Sequence, residues 1–522
     1  MTNNKKIMVT LTAAVAAAVM ALAGCGSSGT ASDSGTSGAK SSGTFLAAGL
    51  FPLTGSFAYV GPASSTSLEL AKQEINAAGG VLGKDMETTT ADSSDADHAD
   101  QNTSSAQSLI SKNPSVIIGP PSSGVVKNTY KQVTTSSIPM ISEGATSTSL
   151  SGLDPMFFRT IPPDTVQGAV LGQVIAQDGV KNLAIVVLND EYGTHLRDVV
   201  VKTVEDAGVN VVYGEKDAFD PTETNFSSIA TAVKASNPDA TLVIAFDQTK
   251  SVVKALAAAG VDTHKMYMSD SNTVDHSGDF EAGLIEGTKG TIPGSHPTDE
   301  FQAKLKKIKP DLGDFTYAAE TYDAVILSAL AATKGGATDG KTVAKNLPAV
   351  SGTTGGEKCE SYKDCVALIK DGKEIQYVGQ SGIGPFNDDH DPGAASIGIY
   401  KFDAKNKPVF DHAQQGSVPK ADAPSGSGSL REPIAIAAMA HSAGNWRLTA
   451  PAGITRPHPC LFGWGFFMFG VEPVRHAGDW TLRCSRRNIE PVRCNENVMV
   501  KTAVQSHTST SSHAPESRQE QC

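Results

Sequence analysis

From about residue 44 to residue 412 the chain alternates short apolar runs with amphipathic stretches. Residues 45–51 are apolar and end at Pro52. Over residues 64–78, Leu68, Ala71, Ile75 and Ala78 share one helical face, and Gly79-Gly80 supplies the stop. The pattern then predicts a helix over 102–111, a strand over 116–118 ending at Gly119-Pro120-Pro121, a helix over 122–135 and a strand over 139–141. The scheme repeats with helices over 164–177, 194–207, 225–235 and 249–259. They alternate with strands over 183–188, 209–213, 240–246 and 265–268. A further strand is predicted over 396–402, after a polar turn at Asn387-Asp388-Asp389-His390-Asp391. Short apolar strands alternating with helices mean parallel sheets covered on both faces. There are too many such units for one compact domain, so the body divides into two α/β domains.

The ends read differently. Residues 7–23 carry no charge and follow Lys5 and Lys6, the layout of a secretory signal. Residues 26–43 are almost all Ser, Gly, Thr and Ala, which cannot bury enough surface to fold and so form a flexible tether. Beyond about residue 420 the usage of basic residues inverts. Residues 1–430 hold 31 Lys and 2 Arg, whereas residues 431–522 hold 1 Lys and 9 Arg, together with all three Trp. This tail has no sustained helical or strand period. It reads as a disordered or frame-shifted appendage rather than a third domain, with 413–420 as its linker.

The net charge of −12, without a basic block in the body, argues against nucleic acid as a partner. Beyond the signal, the longest apolar run, residues 460–471, is well short of the ~20 residues that span a bilayer. Cys359 and Cys365 are the only cysteines of the body after Cys25. In an exported chain they suit a local disulfide, with a metal site that adds Glu360 and Asp364 as the alternative.

Two resemblances sharpen this. Leu22-Ala23-Gly24-Cys25 resembles the bacterial lipoprotein box, whose Cys is lipidated and becomes the mature N-terminus. It implies a signal peptide over 1–24, a lipid on Cys25 and a tether over 25–43 that anchors the protein on the outer face of the cytoplasmic membrane. Residues 45–409 resemble a type I periplasmic solute-binding protein of the branched-chain amino-acid receptor group of ABC importers. The motifs that carry the likeness are Pro52-Leu53-Thr54-Gly55-Ser56 with Gly61, Glu74-Ile75-Asn76-Ala77-Ala78-Gly79-Gly80-Val81 and Ile118-Gly119-Pro120-Pro121-Ser122-Ser123. Ile138-Pro139-Met140-Ile141-Ser142 with Ala145-Thr146, and Asp190-Glu191-Tyr192-Gly193, one spacer residue short, complete the set. A Cys pair before a Gly- and Asp-rich stretch such as 382–393 also occurs in that group.

The resemblance implies two Rossmann-like lobes joined by three crossovers, near Pro162, Pro293 and Ser381. Lobe 1 is then 44–162 with 292–380, and lobe 2 is 163–291 with 381–412. Ligands of such sheets bind at the carboxyl ends of the strands. Ser123 matches the family's carboxylate-binding Ser, with an N-cap role as the alternative. Gly144 and Thr146 match the loop that meets the ligand's head group. Tyr192 matches the aromatic that covers the ligand on closure. Asp270 is the nearest acid to the family's ammonium partner, although strict register falls on Ser271. Val60 stands where an aromatic often lines the side-chain pocket, so Tyr59 or Phe57 substitutes, and Phe246 is a further lining candidate.

Other constellations point elsewhere. Asp92, Asp95, Asp97, His98 and Asp100 lack the Gly and terminal Glu of an EF-hand. Neither a Gly-x-Ser-x-Gly elbow nor a Walker loop is present. The expected protein is a monomeric receptor without catalysis, metal or cofactor. It captures a small solute, a branched-chain or related amino acid, by hinge closure and serves a membrane ABC permease. The alternatives are a solute of another class (amide, urea, aromatic acid) or a sensor role.

Overall fold

The computed structural model describes residues 43–416 except Ala394, and the backbone of two short segments near residues 471–484. Strands β1 (Leu46–Phe51), β2 (Glu87–Asp92), β3 (Val116–Ile118), β4 (Met140–Ser142) and β5 (Phe157–Arg159) form a parallel sheet in the order β2-β1-β3-β4-β5. The helices between them are α1 (Gly61–Ala77), α2 (Ala99–Ile110) and α3 (Ser123–Thr135). The chain then enters α4 (Asp164–Gln177), followed by β6 (Asn182–Val187), α5 (Gly193–Asp206), β7 (Asn210–Tyr213), α6 (Ser227–Ala235), β8 (Ala240–Ile244), α7 (Thr249–Ala258), β9 (Met266–Met268) and β10 (Lys289–Pro293).

Past β10 the chain returns to the first sheet as α8 (Asp299–Ile308), α9 (Ala318–Gly335), α10 (Gly340–Ser351), β11 (Glu357–Cys359), α11 (Tyr362–Lys370) and β12 (Ile375–Tyr377). It ends the body as β13 (Ala395–Phe402) and β14 (Pro408–Gly416). The second sheet has the order β14-β13-β10-β9-β8-β6-β7. Its inner strands are parallel, while β13 and β14 close one edge antiparallel. A short turn joins β13 to β14, and consecutive strands joined that way must run antiparallel. Three chain segments thus pass between the sheets: after β5, after β10 and between β12 and β13.

Each sheet has its own core. The first packs Phe45, Ala47 and Val116 against the buried side of α1 and α9, and Leu50, Ile117 and Met140 on its other face. The second packs Leu183, Val186, Leu242 and Met268 under α4, α5 and α7. Helix α9 is buried almost all round, as an apolar helix inserted between layers must be. Cys359 and Cys365 are disulfide-bonded, with Cα atoms 5.3 Å apart.

The acids around residue 95 act in the fold. Asp92 Oδ1 accepts from the backbone N–H of Leu53 (2.8 Å) and Thr54 (3.1 Å), and Asp95 Oδ2 from that of Ser56 (2.8 Å). They pin the loop after β1, and no metal-binding group of His, Cys, Asp or Glu occurs among the described residues. Residues 387–391 are more than a polar turn. His390 stacks on Phe158 (4.0 Å between ring centroids), and Asp391 pairs with the fully buried Arg159 at 2.6 Å. In the tail, β15 (Val471–His476) pairs antiparallel with β16 (Asp479–Cys484), where the residue pattern predicts no element. Two six-residue strands only two residues apart are too short for a sustained period to register. The signal segment, Cys25 and the tether lie outside the described residues.

Candidate ligand-binding site

The loops at the carboxyl ends of both sheets face one another. After β3 the chain turns at Gly119, φ +92°, where a Cβ would strike the carbonyl of Leu50. Ser122 then caps α3, accepting from Val125 N–H at 3.4 Å. The cap role therefore belongs to Ser122. Ser123 is the first helical residue, and its Oγ accepts from Ser147 N–H at 3.2 Å across to the loop after β4. That loop carries Gly144 and Thr146. On the other sheet, Asp190 accepts from Gly193 N–H at 2.6 Å and turns the chain so that Tyr192 enters the cleft.

The cleft centres on Asp270, which is 1 % exposed. Its Oδ1 accepts from Tyr192 Oη at 2.5 Å and from Gln167 Nε2 at 2.9 Å, and its Oδ2 accepts from Tyr317 Oη. Burial raises the pKa of this carboxyl, and the two phenols and the amide pull it partly back. Around it stand Phe57, Tyr192, Phe246 and Tyr317, with Phe57 4.8 Å from Phe246 and Tyr192 5.7 Å from Phe246 between ring centroids.

Of the residues named from the sequence, Ser123, Gly144, Tyr192, Phe246 and Asp270 line this deep site together. Tyr59 bridges the lobes above it, donating to the carbonyl of Ser271 at 2.8 Å. Thr146 is fully buried and does not line the site. Tyr317, Gln167 and Asp164 were not legible. Tyr317 sits at φ +60°, an uncommon conformation for a bulky residue that favours clamps. Asp164 opens α4, buried beside Asp270 and the Thr146 hydroxyl. Burial and the nearby Asp270 push its pKa well up.

The space left between these groups is about 10 Å³, room for at most one water. The closed lobes are latched by Tyr59, by Ser149 Oγ donating to Glu191, and by Lys127, whose Nζ lies 3.6 Å from Glu191. Beside the deep site, and sharing Phe246, Ser271 and Tyr317 with it, opens a chamber of about 770 Å³ between the lobes. That size suits a small molecule.

Two α/β lobes closing over a buried acid, a helix-start Ser and an aromatic wall make a cleft receptor for a small solute. The chain belongs to the periplasmic binding protein family, whose model matches residues 47–361. A relative from Pseudomonas aeruginosa, the leucine-, isoleucine-, valine-, threonine- and alanine-binding protein, is 27% identical over 308 residues, covering 57% of this chain and 80% of its own. Two solved structures share the fold at TM-score 0.58 and 20% identity, each over 72% of this chain. One is the branched-chain amino-acid substrate-binding protein LivJ of Streptococcus pneumoniae with isoleucine, covered completely. The other is an ABC-transporter solute-binding protein of R. palustris with 4-hydroxybenzoate, 98% covered. Proteins of this family bind small molecules, work with ABC transporters and act outside the cytoplasm. No helix among the described residues is long and apolar enough to cross a membrane.

Proposed function

We propose that this protein captures a branched-chain or related amino acid between its lobes and delivers it to a membrane ABC permease, without acting on it chemically. Lipid on Cys25 and the Ser/Gly tether keep it at the membrane while leaving it free to dock. The observation that carries the reading is Asp270. It is a buried carboxylate whose present partners are neutral hydroxyls and an amide, which an ammonium can displace. Opposite it, Ser123 and the first N–H groups of α3 suit a carboxylate. The ligand stabilises the closed form because its contacts come from both lobes.

A second reading is an aromatic acid. The ring cluster of Phe57, Phe246, Tyr192 and Tyr317 supports it, and the R. palustris neighbour holds 4-hydroxybenzoate. One experiment separates the two. The full chain with Cys25→Ser is expected in the soluble fraction, and calorimetric titration should show binding of leucine, isoleucine or valine. Binding of 4-hydroxybenzoate with none of the three replaces the amino-acid reading. Retention of the variant in the membrane removes the lipid anchor.

A further inference from the structure

The chamber beside the deep site carries a charge pattern of its own. Five carboxylates line it: Asp247, Asp275, Asp279, Asp314 and Glu320. Its two lysines are already paired. Lys250 Nζ lies 2.6 Å from Asp247 and 3.5 Å from Asp279, and Lys407 Nζ lies 2.6 Å from Asp275. His276 also faces Asp279, at 3.0 Å. That leaves Asp314 and Glu320 without a cation among the described residues.

Glu320 is the unusual group. It lies in the first turn of α9, three residues after Tyr317, and is 3 % exposed while lining the chamber. Its Oε1 has no hydrogen-bond partner. That oxygen lies over Gly294, itself a wall residue, where a Cβ would collide with it. Asp314 accepts from Thr316, whose backbone N–H lies 2.7 Å from Oδ1, and no cation pairs with it among the described residues. The neighbouring rings add no positive charge. His296 shares a hydrogen bond of 3.0 Å with Tyr400 Oη, and burial holds its pKa below the ordinary value. A buried carboxyl with one oxygen unpaired and no cation beside it, in a wall that borders open space, is costly unless something supplies donors.

Leucine cannot do so, because its side chain has no donor. Tyr59 lies within electrostatic reach of both Asp270 and Asp314, and Tyr317, whose Oη donates to Asp270, lines the chamber together with Glu320. The deep acid and the chamber acids are therefore neighbours along one path. We infer that the chamber is a second subsite that receives the distal cationic group of a longer solute, such as the side-chain ammonium of lysine or ornithine, on Glu320 with Asp314 alongside. The inference rests on the amino-acid reading of the deep site and narrows it to solutes with a second positive charge beyond the head group.

Lysine and norleucine test this, since they share a carbon chain and differ by the terminal ammonium. In the full chain carrying Cys25→Ser, lysine is expected to bind at least tenfold more tightly than norleucine. In Glu320→Gln that ratio should fall towards one, and in Asp314→Asn it should fall in part, with thermal melting confirming that each variant folds. Norleucine binding as tightly as lysine overturns the inference, as does a ratio that neither substitution moves. Cadaverine, which has no amino-acid head, keeps the two readings apart. Glu320-dependent binding of cadaverine with no amino acid bound upholds the chamber subsite and overturns the amino-acid reading. Leucine bound with neither lysine nor cadaverine overturns the subsite alone. If nothing binds, both fall.

Discussion

Two buried carboxylates, Asp323 and Asp270, solve the same problem in opposite ways. Asp323, on α9, accepts from the backbone N–H groups of Gln380 (2.9 Å) and Ser381 (2.8 Å), from Ser381 Oγ (2.5 Å) and from Tyr377 Oη (2.8 Å). Half of its donors belong to the main chain of the segment that crosses between the sheets. Those donors cannot swing away, so the bond set ties α9 to the crossover permanently. The donors that Asp270 draws from other residues are all side chains, from both lobes: Tyr192 and Gln167 from one and Tyr317 from the other. A phenol or an amide can rotate out and be replaced. Burial raises the pKa of both carboxyls, yet one environment builds a fixed joint and the other an exchangeable socket. What differs is the type of donor.

Substitution should expose that difference, and the joint should suffer most. Asp323→Ala strands two buried N–H groups and two hydroxyls, each costing about 1–3 kcal/mol when unsatisfied. The expected loss is about 3–5 kcal/mol, as for breaking a buried charged contact, seen as a Tm lowered by roughly 10 °C. A Tm within a degree or two of the parent would show that the crossover does not depend on this carboxylate.

The socket should respond in binding instead. Asp270→Asn keeps an acceptor for one phenol and removes the charge an ammonium needs. The expected loss of affinity for the amino-acid ligand is about 2–4 kcal/mol, or roughly 30- to 1,000-fold, with Tm changed by only a few degrees. An unchanged Kd would place the ammonium elsewhere. Asp164, fully buried nearby, is then the acid to test.

This contrast also marks what the residues alone reveal. Helix α1 ends at Ala77 because Gly79 and Gly80 supply φ values of +100° and +72°, a local cue visible in the sequence. Its start at Gly61, three residues before the expected 64, follows Pro62 in the first turn. The buried strands β6 and β8 are legible as apolar runs. Strand β2, Glu-Thr-Thr-Thr-Ala-Asp, is not, because it forms the sheet edge and has no fully buried position to imprint a pattern. In the site, residues at strand ends can be located because the fold puts ligands there. Tyr317 and Gln167 reach Asp270 over sequence separations of 47 and 103 residues. Local periodicity holds no record of such contacts.

A third carboxylate has neither solution, and it gives the smallest expected effect. Glu143 is fully buried between Ser142 and Gly144. Ser64 Oγ donates to its Oε1 at 3.2 Å, and its Oε2 has no partner. Burial pushes its pKa up from 4.5 to about 8. Between those pH values the folded protein keeps a proton that the unfolded chain has lost. Stability must therefore fall as pH rises from 4.5 to 8, and level off above. Glu143→Gln removes the titration and keeps the shape. It should leave Tm nearly unchanged at pH 4.5 and raise stability by about 1 kcal/mol or more at pH 8.5, a discounted share of the roughly 1.36 kcal/mol that each tenfold change in proton affinity can carry. The other buried acids titrate in both proteins, so the difference between the two pH profiles isolates Glu143. Parallel profiles would mean that Glu143 is held ionised by a partner, and that the contrast between joint and socket extends to it as well.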